Sequence, residues 1–137
     1  MSKRIPKGTY GYINAVLFDF ELKKRELEQK RNDILEAFPD LYSEHVRGTD
    51  ISDPTGNRAV KLDTVELVHL AHEIEAVEAT IAILNEDQLY IYNRFFRDKV
   101  NKWQVVEEMH VSPETFHRRK KEVIEICGRF LGVYLGS

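Results

Sequence analysis

Within a ten-residue stretch near the C-terminus, Ser112, Glu114, Thr115, His117, Arg118 and Lys121 carry the hydrogen-bonding groups that suit nucleic acid. Arginine offers a planar fork for guanine or phosphate, and lysine a point charge for phosphate. A serine at a helix N-terminus adds a hydroxyl beside the amides that attract anions. His117-Arg118-Arg119-Lys120-Lys121 is the densest basic run in the chain. Such a run is commonly just a solvated helix face, so its meaning depends on the elements that position it.

The surrounding sequence, KWQVVEEMHVSPETFHRRKKEVIEICGRFL over residues 102–131, reads as a short helix at 102–109, a tight turn at 110–112 and a longer helix from Pro113 to about Phe130. That is the spacing of a helix-turn-helix. Val105, Val106 and Met109 supply the inward face of the short helix. His110 stands where the turn needs positive φ, a position at which glycine is commonest. Val111 points back into the core. Ser112 is a good N-cap, and Pro113 suits the first helical position because it has no amide to waste.

At about 100° per residue, Lys120, Val123, Cys127 and Phe130 fall within about 40° of Phe116, and the five form the expected buried stripe. Lys120 is expected to snorkel out of it, and Cys127 reads as a small core residue rather than a nucleophile. Glu114, His117, Arg118 and Lys121 then share the opposite face. Arg119 lies off that face, where it could reach a DNA backbone from the flank. Glu122 and Glu125 would repel DNA, which limits contact to the first half of the helix. Trp103 is expected to cap the core of this region.

Upstream, residues 12–38 read as one long amphipathic helix stopped by Pro39. Ile13, Phe20, Leu27 and Ile34 recur every seven residues, with Leu17 and Phe38 at companion positions, but Lys24 and Arg31 interrupt the seam. Residues 39–62 read as a turn-rich linker, with Asp53-Pro54-Thr55-Gly56 its strongest turn signal. A second helix is expected from about Asp63, capped reciprocally by Glu66, to Leu84. Its stripe is Leu67, Leu70, Ile74, Val77, Ile81 and Leu84. These two helices suit an antiparallel hairpin or a seam against a second copy of the chain. A third helix is expected over about 86–97, with Asn85 and Gln88 at its start. Tyr90 and Tyr92 there read as packing residues rather than base-stacking ones.

The chain has 137 residues and a formal net charge of −3. Residues 1–38 hold 8 Lys+Arg against 6 Asp+Glu, residues 39–85 hold 3 against 9, and residues 86–137 hold 9 against 8. A basic surface must therefore be local. A 42% hydrophobic, 31% charged composition is globular. The start, MSKRIPKGTYGY, has no secretory h-region, no run suits a membrane span, and one cysteine builds neither a disulfide nor a Cys-rich zinc site. The expected compartment is a reducing cytoplasm. His69 and His72 share a turn but lack the HExxH arrangement and a third ligand. No phosphate loop or catalytic pattern is visible, so neither an enzyme nor a cofactor is expected.

The order of elements carries a resemblance. Asn85 to Leu131 looks like region 4 of bacterial sigma factors. Together with the N-terminal helix, the DISDPTGNRAVKL stretch, the long second helix and the HVSPETFHRRKKEVI ending, the chain resembles the phage late transcription regulators of the RinA/ArpU type. His110 and Val106, where glycine and alanine are usual, depart from the general pattern. The resemblance implies an all-α protein: residues 1–84 as an oligomerising helical hairpin with its linker at 39–62, and residues 85–137 as a three-helix DNA-binding domain. It implies an activator of packaging and morphogenesis genes that binds double-stranded DNA at late promoters, as a homodimer or higher homo-oligomer, with host RNA polymerase a further partner. DNA reading would fall on Ser112, Glu114, Thr115, His117, Arg118 and Lys121, with Arg119 at the flank. A small terminase subunit on packaging-site DNA is the alternative. An adaptor that touches polymerase without reading DNA is another, for which the acidic middle segment would serve.

Overall fold

The computed structural model describes residues 4–37 and 54–136, with side chains from 54 to 63 and at 37 excepted. Among these residues every regular element is helical. In chain order they are α1 (Lys7–Phe18), α2 (Phe20–Ala37), α3 (Pro54–Ile83), α4 (Glu86–Ile91), which runs on as a π-helical segment at Tyr92–Arg97, α5 (Lys102–Met109) and α6 (Pro113–Leu131). No described helix is long and apolar enough to cross a membrane.

The contacts group the chain into two units, residues 1–21 with 73–137, and residues 22–72. The boundary expected at residue 84 is not where the grouping falls. The reason is apolar: Ile13, Val16 and Leu17 of α1 and Ile74, Ala76 and Val77 of α3 are buried in the same unit as the C-terminal helices. α1 lies mainly against α6, and α4 against α6 and its own π-helical continuation.

The first long helix differs from the expected single span over 12–38. It begins earlier, at Lys7, and it is interrupted at Asp19 (φ −98°, ψ 14°). The interruption frees the Phe18 carbonyl, which accepts a hydrogen bond from Lys99 Nζ. Lys99 also donates to Phe96 O at 2.9 Å, and its ammonium sits 4.7 Å from the centre of the Phe18 ring. Helix-end carbonyls need such partners. The break also lets Phe18 meet Phe95 and Phe96 at centroid distances of 5.2 and 5.0 Å. Pro39 and Phe38 lie outside the described residues.

α3 likewise overrides two local signals. Pro54 opens it, so Pro54, Thr55 and Gly56 of the expected turn form the helix's first turn, where proline is tolerated, while Asp53 lies outside the described residues. Asp63 is helix interior rather than an N-cap. The expected stripe is followed in part: Leu70, Ile74 and Val77 are buried, Leu67, Ile81 and Leu84 are half-buried, and the helix ends at Ile83, one residue short of Leu84. Two polar groups join it. Glu73 is buried and accepts a hydrogen bond from Tyr12 at 2.5 Å; burial, and then this bond, raise the Tyr12 pKa. Thr80, also buried, donates to Ala76 O.

In the unit of residues 22–72, Lys30 and Glu66 form an ion pair at 2.8 Å. Leu27, Leu35, Leu67, Val68 and Ala71 border an open apolar groove of about 310 Å³ in the same unit.

Candidate nucleic-acid interface

Local chemistry explains why α5 and α6 form and where they stop. Asn101 caps α5, its side chain accepting from Trp103 N at 2.8 Å. The helix ends at His110 in the left-handed conformation (φ 56°, ψ 42°). His110 N donates to Glu107 O at 3.2 Å and Val111 N to Val106 O at 3.4 Å. This pair of bonds is a Schellman closure, which satisfies carbonyls a helix end leaves open. Ser112 then caps α6, with Oγ accepting from Thr115 N at 3.1 Å, and Pro113 takes the first helical position. All three residues that the sequence places in these roles hold them.

The inner face of the pair is closed by Val105 and Phe116, both fully buried. Phe116 meets Phe95 edge-on at 5.4 Å. Farther along α6 the buried arc is Val123, Ile124, Cys127, Gly128 and Leu131. Phe130, placed in that arc by the helical wheel, is 41% exposed, and Leu131 takes its place. The arc is turned toward α1, where Ile13 Cδ1 approaches Gly128 so closely that a Cβ on Gly128 would lie 2.8 Å away. Cys127 is buried, which pushes its thiol pKa up to about 11, away from nucleophilic chemistry.

Lys120 does not snorkel into open solvent. Its ammonium lies 4.9 Å from the Phe95 ring centre and 5.8 Å from that of Tyr10. Cation–π attraction holds the charge there, while burial and Lys102 lower its pKa. Trp103 also departs from expectation: it is 61% exposed rather than capping the core, with Lys102 Nζ 4.5 Å from its ring. Tyr92 is buried and stacks on Phe96, as a packing residue should, while Tyr90 donates to Glu108 at 2.7 Å.

The outer face begins at the turn. Ser112, Glu114, His117 and Arg118 are exposed, and Thr115 and Lys121 are half-buried. Arg118 makes no hydrogen bond or ion pair among the described residues. Arg119 turns away from this face. Its guanidinium donates to Glu122 at 3.2 and 3.3 Å, and Gln88 donates to the same carboxylate at 3.0 Å. Glu122 is thereby partly neutralised, and its pKa is lowered by those two donors against the opposing effect of burial.

Lys102 joins the outer face although the sequence reading passed it over. Its Nζ is 2.8 Å from His117 Nε2, across the turn. A helical wheel of α6 alone holds no sign of that neighbour. Among the described residues no group of three His, Cys, Asp or Glu is placed to hold a metal ion. Comparison of the chain with protein-family models, curated proteins and solved structures gives no match, so the reading of this surface rests on its own geometry and chemistry.

Proposed function

We propose that this protein is a sequence-specific DNA-binding transcription regulator, in which α5, the His110 turn and α6 act as a helix-turn-helix. The first half of α6 would enter the major groove. One observation carries the reading: α6 starts at a capped turn, buries one face on the aromatic core, and presents Ser112, Glu114, His117 and Arg118 outward. A recognition helix uses its N-terminal residues in this way. Arg118 suits guanine or phosphate, and Ser112 with the helix N-terminus suits phosphate. Lys121 lies on the phosphate side of the same proposal, while Arg119 is committed to Glu122. The α5–turn–α6 closure fits the sigma region-4-like and RinA/ArpU-type resemblance, which makes activation of phage late genes the specific role proposed.

A single such head buries little DNA surface, so a homodimer or higher homo-oligomer belongs to the proposal. Exposed Leu35, Val65 and Val68 are the apolar residues a second copy would cover.

The test is footprinting on phage DNA, combined with duplex binding at several salt concentrations and light-scattering mass measurement. A dimer protecting two half-sites about 34 Å apart, or a multiple of that, upstream of a late promoter is the expected result. Affinity should fall steeply as salt rises. Absence of salt-sensitive duplex binding would overturn the proposal. A large ring on packaging-site DNA would replace it with the terminase reading.

A further inference from the structure

Lys102 and His117 come from the two helices on either side of the turn, and their side chains meet at 2.8 Å. An ammonium has donors only, so His117 Nε2 is the acceptor and the ring is neutral in this arrangement. The charges acting on the ring are Lys102 from α5 and Lys120 from α6. α1 contributes Tyr10, which lies beneath Lys120. Along α6, Glu114 and Lys121 stand three and four positions away, and neither contributes to the shift of the ring. The carboxylates of the flanking elements are engaged elsewhere, Glu108 by Arg94 and Tyr90, Glu122 by Arg119 and Gln88. An exposed histidine and a half-buried lysine therefore converge with no anion between them.

We infer that Lys102 and His117 grip one backbone phosphate of duplex DNA between them, and that His117 takes up one proton from solvent as the phosphate arrives. This rests on the DNA-binding reading above and adds a site and a proton to it. In the free protein Nε2 accepts from Lys102. In the complex Nε2 carries the added proton and donates to one phosphate oxygen, while Lys102 donates to another. The phosphodiester charge removes the repulsion that keeps the free ring neutral. Burial and the two lysines hold the free ring's pKa below the ordinary histidine range, so at neutral pH the proton is there to be gained. A duplex backbone is favoured over a base edge because the first helix of such a pair runs beside the backbone, and Lys102 opens that helix. Phosphate contacts are indifferent to sequence, so a mixed-sequence duplex at low salt is a sufficient probe.

Two measurements test the inference. In the first, the ring nitrogens of His117 are followed by NMR at neutral pH, assigned by their loss in His117→Gln. The duplex should convert the ring to its doubly protonated form, and inorganic phosphate at the same phosphate concentration should leave it neutral. In the second, duplex affinity is measured against pH at fixed ionic strength. Wild-type affinity should rise by up to about tenfold for each unit of falling pH between the free and bound pKa values of the ring. His117→Gln should flatten that slope, and Lys102→Met should shrink it. Duplex binding with a neutral His117, or an unchanged slope in His117→Gln, overturns the inference and leaves the DNA-binding reading standing. Equal protonation by inorganic phosphate would make this a free-phosphate site and overturn the assignment to DNA. No duplex binding at any pH removes both.

Discussion

Arg94 holds Glu108 with two hydrogen bonds, Nε to Oε1 at 3.0 Å and a terminal nitrogen to Oε2 at 2.8 Å. The first residue lies in the π-helical segment and the second in α5, so the bidentate pair ties α5 to the element before it. Tyr90 and Gln104 donate to the same carboxylate at 2.7 and 3.2 Å. One acidic side chain thus gathers four hydrogen bonds from three residues, and its charge is answered within the protein.

This gathering predicts an acid-sensitive contribution to stability. The Arg94 and Tyr90 hydrogen bonds hold the Glu108 carboxyl down to about 2. A folded pKa below the unfolded one stabilises the fold above the ordinary carboxylate range and ceases to do so as pH falls through the folded value. The melting temperature of wild type should therefore exceed that of Glu108→Gln most at about pH 6, and the gap should close toward about pH 2. Thermal melts of both proteins across that range check it. A constant gap would mean that the network does not prefer the charged carboxylate.

His110 gives a prediction of opposite sign. It holds φ 56°, a region that costs a residue with a Cβ about 1–2 kcal/mol. Glycine removes that cost but adds about 0.4–1 kcal/mol of unfolded-chain entropy. His110→Gly should therefore raise stability by about 0.5–1 kcal/mol. His110→Val should lower it, because a β-branched residue suits left-handed backbone least. Urea midpoints with unchanged slopes would measure both. Destabilisation by glycine would show that the His110 ring contributes more than its backbone costs.

The contrast between this turn and α3 shows what was legible from sequence. The α5–turn–α6 boundaries follow from interactions within a few residues, such as the Ser112 cap and the Pro113 position, and local rules describe them well. Asp63 and Glu66 obey an equally good local rule, yet α3 runs straight through them from Pro54. The break at Asp19 has its partner at Lys99, eighty positions away, which no local pattern could disclose. Phe130 and Leu131 are neighbours, and the wheel chose the wrong one. With Ile124, Gly128 and Leu131 buried, the arc is centred nearer Lys120, whose head lies over the Phe95 ring. Within the candidate interface, the residues of α6 were legible from their own helix. Lys102 was not, because its partner His117 lies across the turn.

Phe116 is the largest fully buried side chain of α6. It is fully buried and meets Phe95 edge-on. Phe116→Ala should cost about 3–5 kcal/mol, the usual range for emptying an aromatic site in a core. Phe116→Leu keeps most of the volume and should cost much less. Denaturant titration of the two variants separates these outcomes. A cost for alanine below about 1 kcal/mol would mean that α6 is not anchored there.

Arg118 is where the reading of the outer face meets its most direct test. It is exposed, it makes no hydrogen bond or ion pair among the described residues, and it stands one position after His117. Removing it should therefore leave the fold intact. Its loss should fall on base recognition, so Arg118→Ala should weaken binding to the specific site by about 1–3 kcal/mol. Binding to an unrelated duplex should change less, and the salt dependence should shift by about one counterion at most. Gel-shift titrations on the two duplexes, with circular dichroism as the folding control, distinguish these cases. Equal weakening on both duplexes would make Arg118 a phosphate contact. No weakening on either would mean that this face of α6 does not enter the groove.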